Sequence, residues 1–176
     1  MSAVCAPAAA PVPAALPGTV LVAGVGNIFA GDDAFGVEVV QRLALRPLPD
    51  GVRVVDFGTR AVDLAYALED QCDALVLVDA AARGAAPGTL YVLEPQIEPA
   101  AAGGLELTHA LNPQTVLRML SAGPTRCRRA VIVGCEPQSM GEEDDIRVGL
   151  SAPVARALEG AVDLVHRIVI EMLGEN

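Results

Sequence analysis

Two carboxylates stand side by side at Asp32 and Asp33, a third ends an apolar run at Asp79, and an imidazole lies at His109. Carboxylate oxygens and a neutral imidazole nitrogen are ligands for Zn²⁺ or Ni²⁺, and two carboxylates with one His leave coordination positions open. Asp33, Asp79 and His109 make such a set. An aspartate just before a helix is stabilised by the helix dipole, so one member of the Asp32–Asp33 pair is explained by capping; two are more than a cap requires. Asp79 follows the run ALVLV, and a carboxylate ending a central apolar strand is costly to desolvate unless paired or metal-bound. Asp56 ends another strand and is followed by Gly58, Thr59 and Arg60. It either supports a turn or points into a cleft. Nucleophiles are scarce. There is no G-x-S-x-G elbow, and Ser2, Ser121, Ser139 and Ser151 fall in tail, loop and cap positions. Cys135 ends a strand and reads as a small buried apolar side chain, although it could face His109. His166 sits at the edge of a helical apolar stripe and reads as a boundary residue.

Residues so far apart meet only if the fold gathers strand ends. Residues 19–23, 52–57, 74–78, 89–93 and 130–134 are short apolar or β-branched runs that predict five strands. Helices are expected over 34–45, stopped by Pro47 and Pro49, and over 61–68. Another opens at the Asn112 cap with Pro113 in its first position and runs to about residue 120. The last starts at a Ser151 cap, with Val154, Leu158, Val162, Val165, Val169 and Met172 as its buried stripe. Residues 99–104 and 136–149 read as loops. Strands alternating with helices predict an α/β fold: a single three-layer domain with a mostly parallel, five-stranded twisted sheet and helices on both faces. In such sheets ligands bind beyond the carboxyl ends of the strands, where strand order reverses.

Composition bounds the function. The chain has 176 residues, enough for one domain with its own core. Hydrophobic residues at 52% and charged residues at 19% exclude a disordered chain. No apolar run reaches membrane-helix length. A net charge of −10 argues against nucleic-acid binding, which needs a basic face. Every basic residue is Arg, so no catalytic Lys exists. Four cysteines without C-x-x-C spacing read as reduced, mostly buried thiols of a cytoplasmic protein. Residues 1–18, rich in Ala and Pro and lacking Arg, are expected to form a flexible tail ahead of a domain over 19–176. Gly24 and Gly26 invite a dinucleotide reading, but Phe29 stands where G-x-G-x-x-G needs its third Gly, and an acidic pair stands where pyrophosphate would lie.

Gly24-x-Gly26-Asn27 followed by Asp32-Asp33-x-x-Gly36 resembles the opening motif of the [NiFe]-hydrogenase maturation endopeptidases. Asp56-x-Gly58-Thr59, Asp79, Pro87-Gly88-Thr89, His109, Gly134-Cys135-Glu136-Pro137 and Gly149-Leu150-Ser151 follow in that family's order and spacing. The resemblance covers residues 19–173. It implies a protease that removes a C-terminal extension from a [NiFe]-hydrogenase large-subunit precursor after nickel insertion. The nickel, supplied by the substrate, would be recognised through Asp33, Asp79 and His109, with zinc or another divalent ion able to substitute in isolated protein. A metal-polarised carbonyl or water, or a carboxylate base, would then serve the hydrolysis. Asp56 is the candidate base or substrate-positioning group, and Asn27, Asp32, Gly58, Thr59 and Arg60 are expected substrate contacts. Phe57 and Ala61 depart from glycines common in the family and bear on partner specificity. The acidic run 142–145 reads as a solvated loop. Two rival readings remain: a nickel-binding chaperone that cleaves nothing, and a nucleotide-binding module with Asp56 on a ribose.

Overall fold

The computed structural model describes residues 19–70, 72–97, 112–122, 125, 127–141 and 146–174. The tail over 1–18, the loop over 99–104, the acidic run 142–145 and His109 lie outside the described residues. Strands β1 (Val20–Val25), β2 (Val52–Gly58), β3 (Ala74–Ala80), β4 (Leu90–Leu93) and β5 (Arg129–Cys135) form one sheet in the order β2-β1-β3-β5-β4. Helices α1 (Phe35–Leu43), α2 (Ala61–Asp70), α3 (Pro113–Ala122) and α4 (Ala152–Gly174) cover it. β1 pairs in parallel with β2 and β3, and β3 in parallel with β5. The architecture is the three-layer α/β arrangement that the apolar runs predict. β4 is antiparallel to β5. Only residues 81–89 separate it from β3, too few for the crossover that a parallel return needs.

Successive side chains of a strand point to opposite faces, so parity assigns each residue to a layer. Val20, Val22, Val76, Val78, Val131 and Val133 pack with α1 and α4. Leu21, Ala23, Leu75, Leu77, Ala130 and Ile132 pack with α2 and α3. The expected stripe of α4 is buried throughout, as are Phe35, Val39, Val40 and Leu43 of α1. Helix α1 lies close on the sheet because Gly36 has no side chain. A Cβ there would meet the Val78 carbonyl oxygen at 2.2 Å and that of Val25 at 2.4 Å.

The helix starts behave differently from one another. The Asn112 Oδ1 accepts the Thr115 N–H at 2.9 Å, the capping bond expected of α3. Ser151 occupies the cap position of α4, its carbonyl accepting the Ala155 N–H at 2.8 Å. Its hydroxyl does not cap the helix; it donates to Asp32 at 2.9 Å. Cys72, Cys127 and Cys135 are free thiols and buried. Among the described residues no helix is long and apolar enough to cross a membrane.

Candidate functional site

A cleft of about 800 Å³ opens at the carboxyl ends of β1 and β3, the place where strand order reverses. Asp33 and Asp79 both line it. Asp79 continues the odd-numbered face of β3, so it leaves the sheet on the α2–α3 side, and it is 4% exposed. Asp33 arrives on the 3-10 turn Asp32–Ala34 that precedes α1. That turn folds against the end of β1 because of Gly26, whose φ is +129° and whose Cβ would sit 1.8 Å from the Asp33 carbonyl oxygen. The Asn27 N–H donates to Asp33 Oδ2 at 2.6 Å, and Asn27 Oδ1 accepts the Phe29 N–H at 3.0 Å. Asn27 therefore shapes the loop while lining the cleft.

The two carboxylates are held against their preference for charge. Burial raises the Asp33 carboxyl above its ordinary value, and the Asn27 N–H offsets only part of this. Burial pushes Asp79 well above the ordinary value, the nearby Asp33 charge adds to the effect, and the Ala80 N–H opposes it. A cation placed between them relieves both costs at once. No Ser or Cys lines the cleft among the described residues. Cys135 lies on the face packed with α1 and α4, and burial pushes its thiol up to about 11. It is a core side chain.

His109 falls outside the described residues, and among those described no three His, Cys, Asp or Glu side chains gather as a metal site. The chain three residues beyond His109 is in place: Asn112, Pro113 and Gln114 line the cleft. Gly58 and Thr59 line it from the end of β2, tied to β1 by the Gly26 N–H on the Gly58 carbonyl at 3.0 Å.

Three of the expected site residues, Asp32, Asp56 and Arg60, do not line the cleft. Asp32 is 2% exposed and does not line the cleft. Its carboxylate accepts the N–H groups of Gln138 (2.8 Å), Ser139 (3.3 Å) and Ser151 (2.6 Å) together with the Ser151 hydroxyl. Four donors occupy it, so it staples the 3-10 turn to the segment after β5 and to the start of α4. Asp56 follows the even parity of Val52 and Val54 and faces α1, where it accepts Gln41 Nε2 at 3.0 Å. It lines a smaller neighbouring depression, shared with Gly26, Asn27, Phe29, Gly58 and Thr59. Arg60 lines that depression too. Its Nε donates to the Phe57 carbonyl at 3.1 Å, and its guanidinium also donates to the Asp56 carbonyl.

Several contributors carry no role in the sequence reading. Glu136 is buried and accepts Arg83 N–H (2.8 Å), Gly84 N–H (3.1 Å) and the Tyr91 hydroxyl. The Tyr91 bond, with the backbone donors, holds the Glu136 carboxyl below its usual range. This clamp sets the wall where Arg83 lies over the Tyr91 ring, 5.6 Å from its centre. Glu136 follows a buried parallel strand just as Asp79 does, so the same strand-end argument applied to β5 finds it. Exposed Phe29, Met140 and Ile146 also line the cleft and form an apolar rim. Backbone bridges Ala30–Arg147 and Gly31–Met140 draw those two loops together.

Fold and site define a class: a single α/β domain whose working cleft is floored by two desolvated carboxylates at the strand-order reversal. Within that class the comparisons are specific. A family model described as hydrogenase maturation protease matches residues 37–168. The hydrogenase 2 maturation protease of Escherichia coli is 32% identical over 148 residues, covering 83% of this chain and 87% of that one. The hydrogenase expression/formation protein HoxM of Azotobacter vinelandii is 32% identical over 158 residues, 89% of this chain and 72% of that one. Among solved structures, the hydrogenase maturating endopeptidase HybD from E. coli superposes with a TM-score of 0.67 at 29% identity, covering 88% of this chain and 93% of that one. The chain belongs to the hydrogenase maturation protease family.

Proposed function

We propose that this protein removes the C-terminal extension of a [NiFe]-hydrogenase large-subunit precursor once nickel has been inserted, and that Asp33, Asp79 and His109 contact the substrate's nickel. The observation that carries the reading is the pair Asp33 and Asp79, both desolvated in one cleft, where an incoming cation turns mutual repulsion into attraction. Three ligands from this chain leave the remaining positions to the precursor's own nickel ligands. The cleft then selects the metal-loaded precursor, because without a cation the two charges oppose docking. The placement of Asn112–Gln114 in the cleft wall supports an approach of His109 to the same cation.

The scissile peptide would lie along the shared wall of Gly26, Asn27, Gly58 and Thr59, which joins the cleft to the depression holding Asp56. Asp56 serves there as general base or as the group that positions the peptide, with Gln41 fixing its orientation. The apolar rim of Phe29, Met140 and Ile146 excludes water from one side of the bound segment. Asp32 acts through the scaffold, holding its neighbour Asp33 in place. A soluble cytoplasmic setting and a dedicated large-subunit partner fit the same reading.

The test incubates the protein with a nickel-loaded large-subunit precursor and follows loss of the C-terminal extension by mass spectrometry. Cleavage that needs nickel in the precursor supports the proposal. Tight binding of the precursor without cleavage would instead favour a nickel-checking chaperone. In the same assay Asp56→Asn should lower the rate by about 10²–10⁴, the usual contribution of a positioned acid–base group, while cation affinity stays within a few-fold. Full activity with a lowered Tm would reduce Asp56 to a turn support.

A further inference from the structure

The end of the sheet opposite the cleft holds a second chemical feature. Cys72 precedes β3 by two residues and Cys127 precedes β5 by two. β3 and β5 are parallel neighbours in which Ala74 stands opposite Arg129. Counting back two residues on each chain places Cys72 opposite Cys127. The Arg128 N–H donates to the Asp73 carbonyl at 2.9 Å, so the pairing continues into these positions. Adjacent strands lie about 4.8 Å apart, inside the roughly 4.4–6.8 Å Cα separation that a disulfide spans. Both side chains belong to the layer packed with α2 and α3, so they project to the same side. The two sites mirror each other. Cys72 Sγ lies 3.2 Å from the Ala74 carbonyl and Cys127 Sγ 3.3 Å from the Arg129 carbonyl, each two residues onward. The two sulfurs also interact with one another, which pushes the Cys72 thiol up and holds the Cys127 thiol below the ordinary value of 9.0.

We infer that Cys72 and Cys127 are a covalent modification site, a dithiol that a low-molecular-weight disulfide converts to an intramolecular bond between the starts of β3 and β5. The Cys127 thiolate attacks one sulfur of oxidised glutathione and expels a glutathione thiolate. Cys72 then loses its proton to solvent, attacks the Cys127 sulfur of the mixed disulfide, and expels the second glutathione thiolate. The two cysteines lose two electrons, and the glutathione disulfide gains them. Both thiols are buried, so entry of the reagent proceeds through local opening at the strand starts. The bond closes residues 72–127 into a loop that contains Asp79, β4, α3 and the cleft residues Asn112–Gln114. Oxidation therefore pins one half of the cleft from its far end.

The experiment needs only the purified chain. Protein is equilibrated with oxidised glutathione, quenched in acid, alkylated, and examined by intact mass and a tryptic map. The expected product has lost two hydrogen atoms, carries a Cys72–Cys127 linkage, leaves Cys5 and Cys135 alkylated, and melts on the order of 10 °C higher, as loop closure of this length implies. Cys72→Ser should stop at a glutathione adduct on Cys127 with no gain in Tm. A variant with Cys5→Ala and Cys135→Ala retains only the pair and should still close. A linkage through Cys5 or Cys135, or a persistent glutathione adduct in the wild-type chain, overturns the inference. So do four free thiols after repeating the incubation in urea just below the unfolding transition, where access no longer limits reaction.

Discussion

Replacing Asp79 with Asn should stabilise the protein while destroying its function. Asp79 is 4% exposed, sits beside the second anion Asp33, and is relieved chiefly by one backbone N–H. Asn keeps the shape and removes the buried charge. The gain at neutral pH is about 1.4 kcal/mol for each unit by which the folded-state value exceeds the ordinary one, and each such step raises Tm by roughly 3–6 °C for a domain of this size. The sign with pH follows from linkage. The folded-state value of Asp79 lies well above the ordinary 3.8, so below 3.8 the carboxyl is protonated folded and unfolded, and the wild type bears no charge penalty. As pH rises through the raised folded value, the wild type loses stability that Asp79→Asn retains. The gap in Tm between variant and wild type should therefore grow from about pH 4 upward and level off above the folded-state value. Scanning calorimetry across that range reads it directly. A variant less stable than wild type at neutral pH, or a gap independent of pH, would refute the claim that burial opposes ionisation of Asp79. Nickel-dependent processing by Asp79→Asn should be absent whatever its Tm.

Other expectations follow from neighbouring residues. Asp32→Ala should cost about 1–3 kcal/mol by urea denaturation, because it removes the buried carboxylate that accepts the N–H groups of Gln138, Ser139 and Ser151 and the Ser151 hydroxyl. Gly36→Ala should cost about 3 kcal/mol or more, since its Cβ overlaps two backbone carbonyls that cannot swing away. Melting curves of the purified variant check it. His109→Ala should weaken Ni²⁺ or Zn²⁺ binding in calorimetry and abolish processing while leaving Tm within a few degrees of wild type.

The layers of the fold were legible because the code for them is local. Continuous apolar runs in β1, β3 and β5 mark strands covered on both faces, and the 3.6-residue stripe of α4 marks its buried side, without any knowledge of the partner. The convergence of Asp33 and Asp79 was legible from one topological rule about strand ends. What the sequence withheld depends on partners far along the chain. Asp32 read either as a cap for the helix beside it or as a substrate contact, yet its donors lie at Gln138, Ser139 and Ser151. Ser151 read as a cap by type and position, but a buried carboxylate competes for its hydroxyl and wins. Asp56 read as a companion of Asp79, since both end parallel strands. The parity of β2 sends it toward α1, and pairing shifts by a residue between Gly24 and Val25. Strand-end position alone does not tell which face a side chain leaves by; the count from a core residue does.

The division of labour between Asp32 and Asp33 has a consequence for how ligand binding should be felt elsewhere. The two are consecutive residues of one 3-10 turn, one carboxylate open to the cleft and the other bonded to the amide of Ser151, the residue just before α4. Any cation that steadies Asp33 also steadies the turn, and through Asp32 it opposes fraying of a helix that begins over a hundred residues later. Thermodynamic reciprocity requires the converse: a frayed α4 start weakens the cleft's hold on its cation by the same free energy. In hydrogen-exchange terms, the amides of Gln138, Ser139 and Ser151 become reporters of cleft occupancy, although none of them lines it.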